Sequence, residues 1–165
     1  MRLRPYRSSS DYEYVAEWLK EERIHALWCA NLLPFPLSKE ALDAFLEKDA
    51  EEWGGYAYAA TGENGIPVGF FIYSVNENEN SGFLKFIVLN GELRGKGYGT
   101  RMIRLALKYA FEITGVDFVQ LNVFKCNEAA MKCYAKAGLQ VRAVEEAAFR
   151  YGEERWDRCN MVIEK

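Results

Sequence analysis

Between Asn90 and Met102 the chain reads NGELRGKGYGTRM, with glycines at three alternate positions, Gly95, Gly97 and Gly99, and cations at Arg94 and Lys96. Glycine has more conformational freedom to lose than any other residue, so ordering this stretch is costly. An almost continuously apolar run, FLKFIVL, precedes it, and a segment with one polar stripe, TRMIRLALKYAFEITG, follows it. A strand that passes through glycines into the first turn of a helix suits an anion. The first amides of a helix lack internal partners, the helix dipole places partial positive charge there, and glycines let those amides reach an oxyanion with no Cβ in the way. The stretch is expected to hold phosphate, with Arg94 and Lys96 adding mobile charge.

Spacing narrows which phosphate. The stretch lacks the GKS or GKT ending of the nucleotide P-loop. Its glycines are two and two apart, whereas the dinucleotide fingerprint spaces them two and then three, and no acidic residue about 20 positions on ends a following strand to grip a ribose. Bulk properties narrow the class further. The 165 residues suit a single domain, 1–165, and the net charge of −3 argues against a general nucleic-acid binder. No apolar run is long enough to span a membrane, and the start, MRLRPYRSSSDYEY, lacks the apolar stretch of a secretory signal. The four cysteines, Cys29, Cys126, Cys133 and Cys159, form no CxxC pair, and the single histidine, His25, gives no metal spacing with them. A cytoplasmic protein with reduced, mostly buried thiols and no metal is expected.

The elements that position the glycine stretch follow from periodicity. RLRPY is a short strand candidate. Ser10 and Glu13 form a capping-box pattern, which predicts a helix opening near Asp11. A second helical stretch runs from about Glu22 to Leu32 and is stopped by Pro34 and Pro36; a third, KEALDAFLEKDAEEW, is capped by Ser38 and ended by Gly54-Gly55. YAYAAT and VGFFIYSV form a hairpin across GENGIP. FLKFIVL reads as a strand covered on both faces. In the helix after the glycines, Arg101, Arg104, Lys108 and Glu112 form the polar stripe, and Gly115 ends it. VDFVQLNVF is the next strand, NEAAMKCYAKAGL the next helix, stopped by Gly138, and two strands follow at about 140–148 and 158–163 with RYGEERW between them. The fold class is mixed α/β, with a mainly antiparallel central sheet flanked by helices and one parallel crossover around residue 100.

With that context in place, ELRGKGYGT resembles the R/Q-x-x-G-x-G/A motif of the GNAT superfamily of N-acetyltransferases, with Arg94, Gly97 and Gly99 at its defining positions. LNVFKCNEAAMKCYAKAGL resembles that family's next strand–helix unit, with Asn127, Ala130, Tyr134 and Gly138 on its pattern. The similarity covers residues 56–164. It implies a GNAT-like acyl-CoA N-acyltransferase fold and acetyl transfer from acetyl-coenzyme A to a primary amine, on a small molecule or a protein N-terminus, by direct attack in a ternary complex. The spacing, charge and hydropathy above imply no metal, no nucleic acid and no membrane partner, and a homodimer is left open. The same loop would also serve a non-catalytic module that binds or senses acyl-coenzyme A.

The resemblance also implies roles. The backbone amides of Arg94, Gly95, Lys96, Gly97, Tyr98, Gly99 and Thr100 would cradle the pyrophosphate. The strand edge from Phe86 through Ile87 to Leu89 would pair with the pantetheine arm as an added strand would. The Leu89 amide would polarise the thioester carbonyl, and a fixed donor aimed at the developing oxyanion contributes about 3 kcal/mol. Tyr134 is the candidate acid for the departing thiolate, and Asn127 is a cofactor contact or a helix cap. Where family members that acetylate protein N-termini carry a Glu, this chain has Asn122, which does not take a proton as a carboxylate does; a water chain is the alternative route. Glu77 and Glu79 read as a solvated loop tip. Lys96, Arg101 and Arg104 are candidates for reaching cofactor phosphates. Cys126 and Cys133, seven apart, read as thiols sharing one helix face. Trp28, Leu33 and Phe35 beside His25 are either an acceptor wall or plain core, and the acidic KDAEEW is either an attractor of a cationic amine or a solvated helix end.

Overall fold

Every apolar run read as a strand enters one sheet. The computed structural model describes all 165 residues. Strand β1 (Arg2–Pro5) leads to three helices, α1 (Ser8–Trp18), α2 (Glu22–Cys29) and α3 (Lys39–Trp53). Strands β2 (Tyr56–Thr61), β3 (Pro67–Asn76) and β4 (Ser81–Leu89) follow, then α4 (Tyr98–Tyr109), β5 (Phe118–Phe124), α5 (Glu128–Ala137), β6 (Gln140–Tyr151) and β7 (Glu154–Glu164). Their order in the sheet is β1-β2-β3-β4-β5-β7-β6. Only β4 and β5 run parallel, as the crossover through α4 requires. Helix α4 ends in a wider turn over Ala110–Thr114, where the Gly115 amide donates five residues back to Ala110, at 2.9 Å.

The sheet has a core on each side. Strand β3 is buried from Pro67 to Ser74 because it serves both. Phe71 and Tyr73 pack with Leu84, Leu121, Met102, Ile103 and Leu107 under α4 and α5. Phe70 and Ile72 pack with Val88, Val15, Leu19, Leu42 and Trp28 under α1–α3. Strand β4 departs from the expectation of two covered faces: Phe83, Lys85, Phe86, Ile87 and Leu89 are only half-buried. Lys85 to Leu89 lie beyond the stretch in which β4 and β5 pair, from Ser81 opposite Phe118 to Leu84 opposite Leu121. Beyond that pair each strand continues without the other.

A β-bulge makes them part. Between Phe70 and Ile72 of β3 the register on β4 jumps from Val88 to Lys85, so two β4 residues oppose Phe71. Phe86 has the left-handed φ of 52°, a conformation strained for a bulky side chain. Trp28 of α2 holds it there. Its indole Nε1–H donates to the Phe86 carbonyl at 2.8 Å, and the two rings meet edge to face at 5.3 Å. The other end of α2 grips the far side of the opening. The Arg23 guanidinium donates to both Glu154 oxygens, at 2.6 and 3.0 Å, and lies over the Trp156 ring at 5.1 Å.

Two helix boundaries differ from the sequence reading. Helix α1 opens at Ser8, so Ser10 lies inside its first turn and caps nothing; the N-cap residue, Arg7, has no side-chain cap. The Asp11 carboxylate does that work, accepting the Arg7 amide at 2.8 Å and both Arg4 guanidinium nitrogens at 2.7 and 2.8 Å. Helix α2 ends at Cys29 because Ala30 and Asn31 turn left-handed, ahead of the prolines. The Ser38 cap is as expected, its hydroxyl accepting the Ala41 amide at 3.1 Å. The last two strands are longer than read, leaving a two-residue turn, Gly152 and Glu153.

Replacing Trp28 with Phe leaves the bulge carbonyl without its donor. We expect Trp28→Phe to lower the unfolding free energy by about 1–2 kcal/mol, read as an earlier midpoint in urea at unchanged slope. An unshifted midpoint would show that the bulge is held by packing alone.

Candidate acetyl-transfer site

The parting of β4 from β5 opens a cavity of about 410 Å³, walled by the ends of both strands, the glycine loop, α5 and α2. Main-chain direction follows from strand pairing. The Asn90 amide donates back to Val68 of β3 at 2.9 Å. Successive amides of a strand point to opposite sides, so those of Leu89 and Ile87 point away from β3, into the gap. Both residues line the cavity.

The glycine loop closes one end. Gly95 and Gly97 have φ of 74° and 81°, values at which a side chain would be strained. Gly97 is the N-cap of α4, and the first helical bond runs from the Arg101 amide to the Gly97 carbonyl at 3.0 Å. Gly99 is needed for closeness: a Cβ there would lie 3.0 Å from the Cys133 sulfur on α5. The amides of Arg94 and Lys96 bond within the loop, to Gly91 at 3.2 Å and Leu93 at 3.4 Å, and so are committed. Those of Gly95, Gly97, Tyr98, Gly99 and Thr100 take no part in the protein's backbone bonding. Five main-chain donors at the positive end of a 12-residue helix form an anion cradle. Beside it, Thr100, Arg101, Arg104, Lys108 and Lys136 line a shallow groove between α4 and α5. The polar stripe of α4 therefore faces a second basic surface.

Tyr134 comes from α5 and lines the cavity, with 6% of its surface exposed. Burial, and then the neighbouring Cys133, push its phenol well above the ordinary value of 10.0. The group therefore keeps its proton and can donate it. Asn127 also lines the cavity, and its Oδ1 accepts the Ala130 amide at 3.3 Å, so it both caps α5 and faces the gap. Cys133 lies on the same wall. Burial pushes its thiol up and outweighs the Thr100 hydroxyl, which donates to its sulfur at 3.6 Å and favours the thiolate. Cys126 precedes the helix and is exposed; it shares no helix face with Cys133.

Other expected residues stand elsewhere. The Lys96 and Tyr98 side chains do not line the cavity: Lys96 is exposed, and Tyr98 packs onto the core beneath α4, so only the Tyr98 amide remains with the cradle. Glu77 and Glu79 lie in the turn before β4, at the opposite end from Leu89 of a strand roughly 25 Å long. Leu33 and His25 are core. Trp28 is at once core and cavity wall. In KDAEEW only Asp49 is drawn inward, to an ion pair with Lys85 of β4, and a Cβ on Gly55 would collide with its other oxygen at 1.8 Å. Sequence reasoning missed Lys85, Ile24 and Leu27 on the walls. It also missed the side chains fixing Asn122: the Asn160 amide nitrogen on β7 donates to Asn122 Oδ1 at 3.0 Å.

A family model, the acetyltransferase (GNAT) family, matches residues 15–139. The chain belongs to the GNAT acetyltransferase family. As a member it is an acetyl-coenzyme-A-dependent N-acetyltransferase, transferring acetyl to an amine. Among solved structures, the chain is similar to the spermidine N-acetyltransferase from Vibrio cholerae in complex with CoA and spermine, at 20% identity and TM-score 0.83, over 99% of this chain and 94% of that one. A chimera of that enzyme with hSSAT matches at 21% identity and TM-score 0.81, over 99% and 94%. A dodecameric structure of the Vibrio cholerae enzyme matches at 19% identity and TM-score 0.75, over 99% and 92%. These likenesses establish the GNAT fold, the mixed seven-stranded sheet with its parted β4 and β5. No helix is long and apolar enough to cross a membrane.

The cradle predicts a backbone-specific defect. Gly97→Ala places a Cβ in open space, so its effect comes from the φ of 81° alone. We expect about 1 kcal/mol lost in stability and weaker coenzyme A binding by calorimetry. Unchanged binding and midpoint together would show that the loop does not need this conformation.

Proposed function

We propose that residues 1–165 act as one cytoplasmic acetyltransferase domain that moves acetyl from acetyl-coenzyme A to a primary amine, on a small molecule or a protein N-terminus, by direct attack in a ternary complex. One observation carries this reading: the Leu89 amide points into a gap that Tyr134 also lines. The free amides of Gly95, Gly97, Tyr98, Gly99 and Thr100 hold the diphosphate, and Arg101, Arg104 and Lys136 suit a further phosphate at the adjoining groove. Ile87 and Leu89 offer their backbone edge to the pantetheine arm, and Arg94 and Asn127 border it. The neutral amine attacks the thioester carbon, the oxyanion forms against the Leu89 amide, and the carbon–sulfur bond breaks as Tyr134 gives its proton to the sulfur. The amine's own proton leaves through water, since Asn122 cannot take it, and the Tyr134 phenolate regains a proton from water.

Tyr134→Phe tests the acid. We expect kcat to fall about 100-fold with the KM for acetyl-coenzyme A little changed; an unchanged kcat would remove Tyr134 from the reaction. Because its phenol lies above 10.0, Tyr134 contributes no alkaline decline in kcat below that pH. We further propose a homodimer. The outer edge of β6 is unpaired and leaves Val141 and Val144 each 48% exposed, and such edges invite pairing. Sedimentation should give twice the 19.0 kDa chain mass; a monomer at micromolar concentration would be the contrary result.

A further inference from the structure

Asn122 stands one residue beyond the last β4–β5 pair, Leu84 opposite Leu121, at the fork itself. It is exposed and lines the cavity. Its amide orientation is set from two strands away. Arg142 occupies the bulge of β6 between Val141 and Ala143, and its guanidinium carries donors only. Nε donates to Asn160 Oδ1 at 2.9 Å, and Nη2 donates to Gln120 Oε1. The Asn160 oxygen is thereby turned to β6, and its Nδ2 is turned inward. That nitrogen donates to Asn122 Oδ1 at 3.0 Å and to Gln120 Oε1 at 3.2 Å. Asn122 Oδ1 is thereby held toward β7, and the polar atom of this cavity-lining residue left without a protein partner is Nδ2, a donor.

A second observation is independent of this chain of bonds. The cavity is lined by four cations, Lys85, Arg94, Lys132 and Lys136, and by no Asp or Glu. A polycationic acceptor would find no counter-charge there. Lys85, one residue beyond the same last pair on β4, is already neutralised by Asp49, so the acceptor side offers hydrogen-bond donors without strong net charge.

Resting on the acetyl-transfer reading above, we infer that the acceptor is an amine that also carries a neutral carbonyl oxygen, an α-amino amide such as a peptide N-terminus presents, and that Asn122 Nδ2 donates to that oxygen. Asn160 and Arg142 are positioning residues that act through Asn122. Substrates with amine groups alone leave the donor unpartnered when they exclude water from it, and the site discriminates against them on that account.

The test compares glycinamide, a glycine-initiated pentapeptide and 1,3-diaminopropane as acceptors, following coenzyme A release. Asn122→Asp keeps the shape and removes the donor. The ratio of kcat/KM for glycinamide over 1,3-diaminopropane should fall about tenfold relative to the wild type, chiefly through KM. Because the ratio is compared between variants, the differing basicities of the amines cancel. Arg142→Met, which frees Asn160 to rotate, should lower the same ratio, and Arg142→Lys, a donor-only side chain, should restore it. The pentapeptide tracking glycinamide identifies a protein N-terminus; its exclusion while glycinamide is used identifies a small amino amide, and either supports the inference. An unchanged ratio in Asn122→Asp, or equal losses on all amines, overturns it while leaving acetyl transfer intact. Absence of coenzyme A release with every amine overturns both readings.

Discussion

The separation of two parallel strands after only four paired residues is the constraint on which the rest of the molecule depends. Backbone donors and acceptors inside a sheet are normally consumed by the neighbouring strand. Here the bulge at Phe86 withdraws the end of β4 from β5 and leaves the Ile87 and Leu89 amides facing open space. An exposed strand end of this kind is a liability in a protein that does nothing with it. It becomes an asset when the added partner is a ligand arm bearing amides of its own. The glycine loop, the basic groove and the buried phenol are arranged around this opening.

Chemistry divides along the opening. At the helix end, main-chain donors and cationic side chains suit phosphate oxygens. At the fork, half-buried strand residues, an amide and an internally paired lysine replace bare charge. Tyr134 lines the same cavity, with burial keeping its proton on. In the proposed transfer the phenol must stay protonated until a thiolate appears, and a low-dielectric wall serves that role, since desolvation disfavours the phenolate.

Much of this was legible in the chain itself, and what was not shares one cause. The glycines, the amphipathic helix after them and the strand pattern are local signals, each visible within about a dozen residues. The Asn127 cap and the Tyr134 position on α5 follow from the same local spacing. The bulge was hidden because nothing in FLKFIVL reveals that a tryptophan 58 residues away will bond its carbonyl. The Asn122 orientation was hidden for the same reason, since it is set through strand partners on β7 and β6 that only the sheet order brings together. The Ser10 capping pattern misled because a buried carboxylate one residue on, held by Arg4 of β1, outcompeted it for the helix start. Lys96 and Tyr98 carry the motif's spacing in their amides or turns, while their side chains go elsewhere.

Helix α2 reaches both lips of the opening, with Trp28 on the bulge of β4 and Arg23 on Glu154 at the start of β7. An eight-residue helix has little stability of its own, so these two anchors, with the packing of Ala26 against Phe124 and Trp156, are what keep it wound. The dependence runs both ways. Fraying of α2 would slacken the jaw that it braces, and its amide protons should exchange with solvent in one cooperative step with those of the β6–β7 hairpin, ahead of the central strands.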